Sequence, residues 1–429
     1  DNFLTGGELS NDPNRPTQAT SGQLLTGIEA ETWAQLQSDP ARISGLWSQQ
    51  ILGAIQQYQA TYNYDVTPQT TNGFQSSLYV GGGLVDIRKL EQQTAAAHDT
   101  VFLGIAQVME ALVMGTGADM FGNLTYTQAL TRELNPPLDP QLSIYDSIQT
   151  LLSRAIVNLR ATGLSNAGPG PADLSYGGDP AEWTRLAHTL KARFLMHTAQ
   201  VAPSVYPQVL AESNLGIQSP SDNFNAIFSG NATEQNFWYQ FGIVQRPGYM
   251  APDPQFVALL QARNDPRLHE YFNADLTDLN DSLYAPNHTQ PLVTANEDIL
   301  LGAEAAARIG DEATAVTKLN QARALAGLGA EPGGLTGRAL LSEILTEEYI
   351  AFFQNLEAWN LYKRTCTPNL VPTTTAGTFG GKVPPRFMYD VSEENTNTNI
   401  PAPSDQLGRL PNNPAKATSD ATGLKCVGQ

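Results

Sequence analysis

The feature that most constrains the fold is a long apolar stripe in residues 341–363. Apolar side chains recur there in steps of three and four, which places them on one face of a helix. They are Leu341, Ile344, Leu345, Tyr349, Phe352, Leu356, Trp359 and Tyr362. The opposite face carries Glu343, Glu347, Gln354 and Glu357. The pattern predicts one continuous helix against which other helices pack.

Helical spacing also recurs in the N-terminal half of the chain. Residues 22–60 predict two helices, the second of which includes Ile51. Residues 84–114 have the same periodicity, and we expect the glycines Gly115 and Gly117 to terminate that stretch.

Three more segments carry helix signals. Residues 143–159 are strongly periodic, with Ser143 as the predicted N-cap. Asp179 and Pro180 open the next helix, because aspartate suits the cap and proline the first turn. Residues 296–326 predict a helical hairpin of the size of a tetratricopeptide unit, although the usual Trp-Leu-Gly-Tyr signature is absent.

Together these segments predict an all-α protein in which long loops join the helices. No shift in composition marks a linker, so we expect a single domain over residues 1–429. The predicted parts are an N-terminal arm at 1–20, a helical scaffold at 22–200 and 296–363, and loop-rich regions at 203–295 and 365–429.

The charge of the chain excludes some classes of partner. The net charge is -18, with only 24 lysines and arginines. Nucleic acids and anionic membrane surfaces both require a basic surface, so neither is an expected partner. No apolar run approaches the roughly 20 residues that a membrane span needs.

The chain has two cysteines, Cys366 and Cys426. A disulfide between them would tie the C-terminal tail to the helix of the apolar stripe, and it would add roughly 4 kcal/mol in the chain-entropy model. Two free thiols are the alternative that the spacing leaves open.

The sequence offers little for catalysis. It lacks a phosphate-binding loop and a nucleophile elbow. His188 and His197 are nine residues apart, which places them on opposite faces of a helix, and His197 on the apolar stripe predicts a core histidine. Glu347 and Glu348 are adjacent and diverge. We therefore expect no enzymatic activity, cofactor or metal.

Two loop segments, residues 61–83 and 203–255, mix aromatic residues with Asn, Gln, Ser and Gly. Aromatic faces stack on sugars or peptide side chains, and amides bond to hydroxyl or backbone groups. The candidate ligand-binding residues are Trp238, Tyr239, Tyr249, Tyr64, Phe74 and Tyr79. The alternative is that these aromatic residues pin the loops to the helical body.

Several segments resemble, in order, the SusD/RagB family of outer-membrane nutrient-binding lipoproteins. Residues 121–126, Phe-Gly-Asn-Leu-Thr-Tyr, resemble the family's loop, with Asn and Thr where Asp and Pro are usual. The other segments are ELSNDPNRPTQAT, SIYDSIQTLLSRAIVNL, DLSYGGDPAEWTRLAHTLKARFLMHTA, NDPRLHEYF, EDILLGAEAAARIGD, EEYIAFFQNLEAWNLYKRT and PPRFMYDVSEENTNTN. The resemblance spans nearly the whole chain.

The resemblance implies an irregular tetratricopeptide-like helical bundle with long ligand-binding loops. It implies a protein that binds oligosaccharides or oligopeptides on the extracellular face of the outer membrane and caps a TonB-dependent (SusC-like) transporter barrel. The family is anchored by lipid on an N-terminal cysteine. Position 1 is Asp1, so that cysteine either lies immediately upstream or this member is not lipidated. A helical-repeat module that binds only another protein is the alternative function.

Overall fold

Helices dominate the computed structural model, which describes residues 19–131, 133–370 and 377–414. In chain order they are α1 Ser21–Gln37, α2 Asp39–Trp47, α3 Gln56–Tyr62, α4 Phe74–Ser77, α5 Leu84–Ala96, α6 Thr100–Phe121, α7 Gln141–Leu159, α8 Pro180–Thr198, α9 Tyr206–Ser213, α10 Phe237–Tyr239, α11 Pro254–Ala262, α12 Arg267–Tyr271, α13 Ala295–Arg308, α14 Glu312–Leu325, α15 Gly337–Ala351, α16 Glu357–Thr365 and α17 Val391–Thr396. A π-helix, Gln240–Gln245, follows α10 directly. The all-α prediction is confirmed.

Four short strands form two separate antiparallel pairs in the described residues. β1 Ile51–Gly53 pairs with β3 Met250–Pro252, and β2 Phe224–Ala226 pairs with β4 Gln290–Val293. Pairs this small are stable only when they pack on something larger, so they serve here to hold loops against the helices. The prediction that residues 22–60 form two helices is wrong in its second half, because Ile51 begins a strand.

The centre of the core is α6. Residues 104–121 of this helix are all buried, with α5, α7 and α8 packed around it. A helix that is apolar on every side is buried rather than amphipathic. By length and composition α6 meets the criteria for a membrane span, contrary to the expectation from the sequence, but its apolar surface is covered by the protein itself.

The prediction that Gly115 and Gly117 end this helix is wrong. A Cβ atom at Gly115 would fall on the ring of Phe194, so glycine is required there for the close approach of α8. The helix continues to Phe121 and ends at Gly122, whose φ of 81° lies in the left-handed region that favours glycine.

Helix boundaries elsewhere follow capping chemistry. The Asp179 side chain accepts a hydrogen bond from the Ala181 backbone N–H at 2.7 Å, and Pro180 begins α8, as predicted. The predicted hairpin is confirmed as α13 and α14, with Asp311 capping the second helix. Ser143 is not a cap, because α7 begins two residues earlier, after Pro140.

The apolar stripe does not form one continuous helix. It forms α15 and α16, which are separated by a break at residues 352–356. Gln354 sits in the break with a φ of 60°, a left-handed conformation that no α-helix accommodates. The apolar spacing continues across the break, which is why the sequence pattern conceals it.

The acidic face of the stripe is not exposed to solvent either. Glu347 is 2% exposed, and its carboxylate accepts hydrogen bonds from Arg267 at 2.7 Å and Arg323 at 2.9 Å. Buried charges are stable in proteins only when they are paired in this way. Residues 340–351 of α15 and all of α16 are therefore buried or half-buried, with apolar packing on one face and ion pairs on the other.

Some predictions concern residues that the structure does not describe. The N-terminal arm, apart from its last two residues, lies outside the described residues. Cys366 ends α16 in the left-handed conformation and is 3% exposed, whereas Cys426 lies outside the described residues. The disulfide and the single-domain organisation stay predictions.

Candidate functional site

The main candidate site is a cleft bordered by α2, α3, the loop after α3 and the π-helix. We call it the aromatic cleft; its volume is about 480 Å³. This volume is within the range of roughly 300–1,000 Å³ that is usual for ligand pockets. Tyr58, Ile43 and Phe241 supply apolar surface, and Asp39 supplies a carboxylate. The other polar side chains that line it are Gln57, Thr61, Asp65, Thr67, Gln69 and Thr70.

Local structure brings the two sides of the cleft together. Strand pairing places Gly53 opposite Met250, and the Ala54 N–H donates to the Tyr249 carbonyl at 2.9 Å. A Cβ at Gly53 would collide with the backbone of Tyr58, so glycine allows α3 to pack tightly on β1. The β1–β3 pair thus holds the segment around Tyr249 beside α3.

Three aromatic rings pack together at the edge of the cleft. Tyr58 and Phe241 are stacked with centroids 4.7 Å apart and planes at 17°. Tyr249 meets both rings edge to face, at 6.2 and 6.1 Å, and the Arg246 guanidinium lies 5.8 Å from its ring centre. Tyr249 is half-buried, and residues 243–248 before it are exposed. This cluster presents an aromatic edge to solvent.

A hydrogen-bonded network of Arg42, Asp39 and the Tyr58 hydroxyl packs against the aromatic cluster. Arg42 donates from Nη2 to Asp39 Oδ1 at 2.7 Å and from Nε to the Tyr58 hydroxyl at 2.8 Å. The Tyr58 hydroxyl donates in turn to Asp39 Oδ1 at 2.6 Å, and the guanidinium lies 4.3 Å from the Phe241 ring centre. A planar guanidinium can both bond to a carboxylate and stack on a ring, so Arg42 joins the two parts of the site.

This network keeps Asp39 ionised. Burial favours the neutral acid, but the charge of Arg42 and the hydrogen bonds from Tyr58 and Arg42 outweigh it and hold the pKa of Asp39 below its usual value. The side chain of Asp39 remains 44% exposed. Burial and the neighbouring carboxylate raise the pKa of Tyr58, so its hydroxyl stays protonated. The cleft therefore presents a hydrogen-bond acceptor beside the edges of two largely buried rings, since Tyr58 and Phe241 are 5% and 8% exposed.

The six predicted ligand-binding residues do not form one site. Tyr249 is part of the aromatic cluster, and Tyr239 is half-buried on α10, just before the π-helix. Phe74 and Tyr79 lie apart from the cleft: Phe74 packs against Phe387, and the Tyr79 hydroxyl donates to the Thr125 carbonyl at 2.8 Å. Of the six, Tyr249 is the one that packs against both aromatic rings that line the aromatic cleft.

Trp238 and Tyr64 are core residues, which corrects their selection as ligand contacts. Both side chains are 0% exposed. The Trp238 indole N–H donates to Gln37 at 3.0 Å, and Gln49 donates to the Tyr64 hydroxyl at 3.1 Å. Because neither ring face reaches solvent, neither can stack on a ligand, and for these two residues the alternative that aromatic side chains pin the loops is correct.

Sequence reasoning missed Asp39, Arg42, Tyr58 and Phe241. Tyr58 was hidden because it falls within a helix-like pattern, and Phe241 was one of many aromatic residues in its loop. The one available signal was the spacing of Asp39 and Arg42, three residues apart at the start of a helix, where such pairs meet. Nothing local indicates that Tyr58 joins them.

A second charged cluster lies inside the core. His197 is bonded through Nδ1 to Asp119 at 2.7 Å and through Nε2 to Glu357 at 2.8 Å, and all three are buried. Burial lowers the pKa of His197, but the two carboxylates outweigh this and raise it to about 9. Among the described residues, this is the group whose ligand atoms are spaced for a metal ion. His197 is 4% exposed and both of its ring nitrogens are paired with buried carboxylates, which confirms His197 as a core histidine.

The helical scaffold has a tetratricopeptide-like fold, with the aromatic cleft on its loops. The chain belongs to the SusD-like family, described as starch-binding and associating with the outer membrane, whose profile matches residues 13–285. That match covers more than half of the chain and confirms the resemblance seen in the sequence.

Solved structures support the same fold. A SusD/RagB family protein from Bacteroides thetaiotaomicron VPI-5482 matches with a TM-score of 0.72 and 20% identity, over 93% of this chain and 100% of that one. A chitin-binding SusD homologue from Flavobacterium johnsoniae matches with a TM-score of 0.74 and 18% identity, over 91% and 97%. No curated protein sequence matches significantly. At these identities the structural likeness shows the fold alone.

Proposed function

We propose that this protein is a non-catalytic binding protein that captures an oligosaccharide at the cell surface in the aromatic cleft. The observation that carries the proposal is the Tyr58–Phe241 stack beside the ionised, partly exposed Asp39. The exposed edges of these two rings and the half-buried Tyr249 beside them offer apolar contact to a sugar ring, and the carboxylate accepts hydrogen bonds from its hydroxyl groups. The amide and hydroxyl side chains around the cleft supply further donors and acceptors.

The family supports this choice of ligand. Its description names starch, and the relative from Flavobacterium johnsoniae is chitin-binding. Oligosaccharides of starch and chitin are therefore the first ligands to test. The binding we propose is modest, because each aromatic contact contributes on the order of 1 kcal/mol beyond burial of area.

The finer part of the proposal concerns delivery. We propose that the protein passes its ligand to a TonB-dependent transporter barrel and is held at the extracellular face of the outer membrane by lipid on a cysteine upstream of Asp1. The family's association with the outer membrane supports this location. Mass spectrometry of the protein purified from native outer membranes tests both points, by identifying a co-purifying barrel and a lipid-modified N-terminal cysteine.

Calorimetric titration with starch and chitin oligosaccharides, and separately with mixed oligopeptides, tests the ligand class. For the ligand that binds, we expect Tyr249→Ala to weaken affinity roughly fivefold, because the edge-to-face packing of about 1 kcal/mol that holds Tyr58 and Phe241 in place is lost. Tyr206→Ala is the matched control. Tyr206 is also a half-buried tyrosine under an arginine, Arg308, but it lies on α9 outside the cleft.

Each alternative gives a different result. Saturable binding of peptides without sugars would replace the glycan with a peptide ligand. No detectable binding of either the oligosaccharides or the oligopeptides would refute capture of a small ligand. It would favour the helical-repeat module that binds only protein. Release of shortened sugars during incubation would overturn the non-catalytic assignment.

A further inference from the structure

A second cavity lies between the end of the β2–β4 pair, α12, the start of α13 and the break between α15 and α16. Its volume is about 310 Å³, near the lower limit for ligand pockets. We call it the amide cavity, because five amide side chains line it: Asn223, Gln290, Asn296, Gln354 and Asn355. It shares no lining residue with the aromatic cleft.

The two glutamines leave one amide oxygen and one amide nitrogen without a hydrogen-bond partner among the described residues. They are 3% and 2% exposed, and Gln290 Nε2 donates to Gln354 Oε1 at 3.3 Å. Gln290 Oε1 and Gln354 Nε2 have no partner among the residues that the structure describes, and neither has Asn296 Oδ1. Buried polar groups are nearly always bonded, so each such group calls for an explanation.

The backbone fixes both amides in this position. Gln290 begins β4, and Gln354 sits in the break between α15 and α16 with a φ of 60°. A left-handed conformation in a residue other than glycine is strained and recurs at ligand sites. Both side chains are thus presented to the cavity by ordered backbone.

The pattern of donors and acceptors does not depend on how the amides are oriented. If the oxygen and nitrogen of both side chains are exchanged, one still donates to the other, and one donor and one acceptor again remain. A hydroxyl group matches this pair, because it donates one hydrogen bond and accepts another. A carboxylate does not match, because it only accepts.

The rest of the cavity favours a neutral ligand with an apolar face. The described residues that line it include no Asp, Glu, Lys or Arg, and burial lowers the pKa of His288, which keeps its imidazole neutral. Tyr271 and Phe353 form an aromatic wall, stacked with ring centres 4.3 Å apart. An aromatic wall beside unused amide groups suits a sugar ring, whose face is apolar and whose rim carries hydroxyls.

We propose that the amide cavity is a second sugar-binding site, which takes a single sugar residue through one hydroxyl bonded to Gln290 and Gln354. This inference rests on the proposed function for the ligand class only. It makes a separate claim about location, because the residues involved lie outside the aromatic cleft.

The variant Gln290→Met/Gln354→Met removes the amide groups at similar length and volume. Because it also removes unpaired buried polar atoms, we expect its melting temperature to equal or exceed that of the unchanged protein. Lost binding in a stable variant would then not be a folding effect. Gln261→Met, at an exposed position on α11, is the matched control.

Hydrogen–deuterium exchange with mass spectrometry locates binding without assuming a site. The probes are glucose, N-acetylglucosamine, and starch and chitin oligosaccharides. We expect at least one sugar to protect residues 288–296 and 351–355. In the double variant, the sugar affinity measured from that protection should be at least tenfold lower. Protection of residues 56–70 and 237–249 should persist.

The outcomes separate this inference from the proposed function. Protection at the aromatic cleft alone, or equal protection at 288–296 and 351–355 in the double variant, would overturn the second site and leave the first. Protection at the amide cavity alone would support the second site and refute binding in the cleft. Protection at neither place with any sugar would overturn both.

Discussion

Glu29 lies beside the buried Asp173, and the titration of Glu29 gives a quantitative prediction. Glu29 lies on α1 and is 0% exposed; it accepts hydrogen bonds from the backbone N–H groups of Leu174 at 2.9 Å and Ser175 at 3.2 Å. Burial first, and then the charge and hydrogen bond of Asp173, raise the pKa of Glu29 to about 8, from an ordinary value of 4.5.

The sign of the effect follows from linkage. Between pH 4.5 and about 8, Glu29 binds a proton in the folded protein but not in the unfolded chain. Its contribution to stability is therefore complete below pH 4.5 and is lost as the pH rises through about 8. At 1.36 kcal/mol per pKa unit, the loss across this window is roughly 4 to 5 kcal/mol.

Glu29→Gln should remove this pH dependence. The amide oxygen still accepts from Leu174, the amide nitrogen can donate to Asp173, and no proton can be lost. We expect the variant to match the unchanged protein near pH 5 and to exceed its stability by several kcal/mol at pH 9. Guanidinium unfolding followed by tryptophan fluorescence, from pH 5 to 9, measures the difference.

Comparison of the two proteins at each pH isolates Glu29, because the other titrating groups are shared. Glu270→Gln, at an exposed position on α12, should follow the unchanged protein throughout. A constant difference across the pH range, or a variant that is less stable at pH 9, would refute a raised pKa for Glu29.

Two further predictions test the packing arguments. Gly115→Ala should cost about 1–3 kcal/mol of unfolding free energy, because its Cβ meets the Phe194 ring. In contrast, Gly27→Ala on α1, where a Cβ meets open space, should gain roughly 0.5–1 kcal/mol; similar effects at both sites would contradict the reasoning. Tyr64→Phe should cost about 1 kcal/mol, through loss of the hydrogen bond from Gln49, and leave sugar affinity unchanged. Weaker sugar binding by this variant in calorimetry would show instead that Tyr64 takes part in sugar binding.

The helices could be predicted because one periodic pattern encodes both helix formation and burial. Where a residue serves a long-range contact, the local pattern misled. Gly115 resembles a helix terminator until Phe194 is seen against it, and no local rule connects residues that far apart. The break at Gln354 was not predicted, because the apolar residues keep their helical spacing across it. In both cases the local sequence pattern gave the wrong helix boundary, because it carries no information on what the rest of the chain packs against that residue.

The candidate site was predictable only in part for the same reason. Loop composition selected the segment that contains Tyr249, but composition cannot distinguish a ring that faces solvent from one that faces the core. Trp238 and Tyr249 lie in the same aromatic segment, yet one is fully buried and the other half-buried. Tyr58 and Asp39 come from another segment and join the site through Arg42 and the β1–β3 pair.

The two proposed sites differ in size and in the charge of the groups that would bind a sugar. The aromatic cleft is larger and has an ionised acceptor, Asp39, whereas the amide cavity is smaller, neutral and limited to amide hydrogen bonds. Neither set of contacts sums to tight binding, since a hydrogen bond contributes about 1 kcal/mol net and an aromatic contact about the same. If one glycan reached both sites, binding at the first would hold its other end near the second at a high effective concentration. Long glycans would therefore bind more tightly than short ones, although no contact at either site changes. Such binding would hold a long glycan while each single site could still release it.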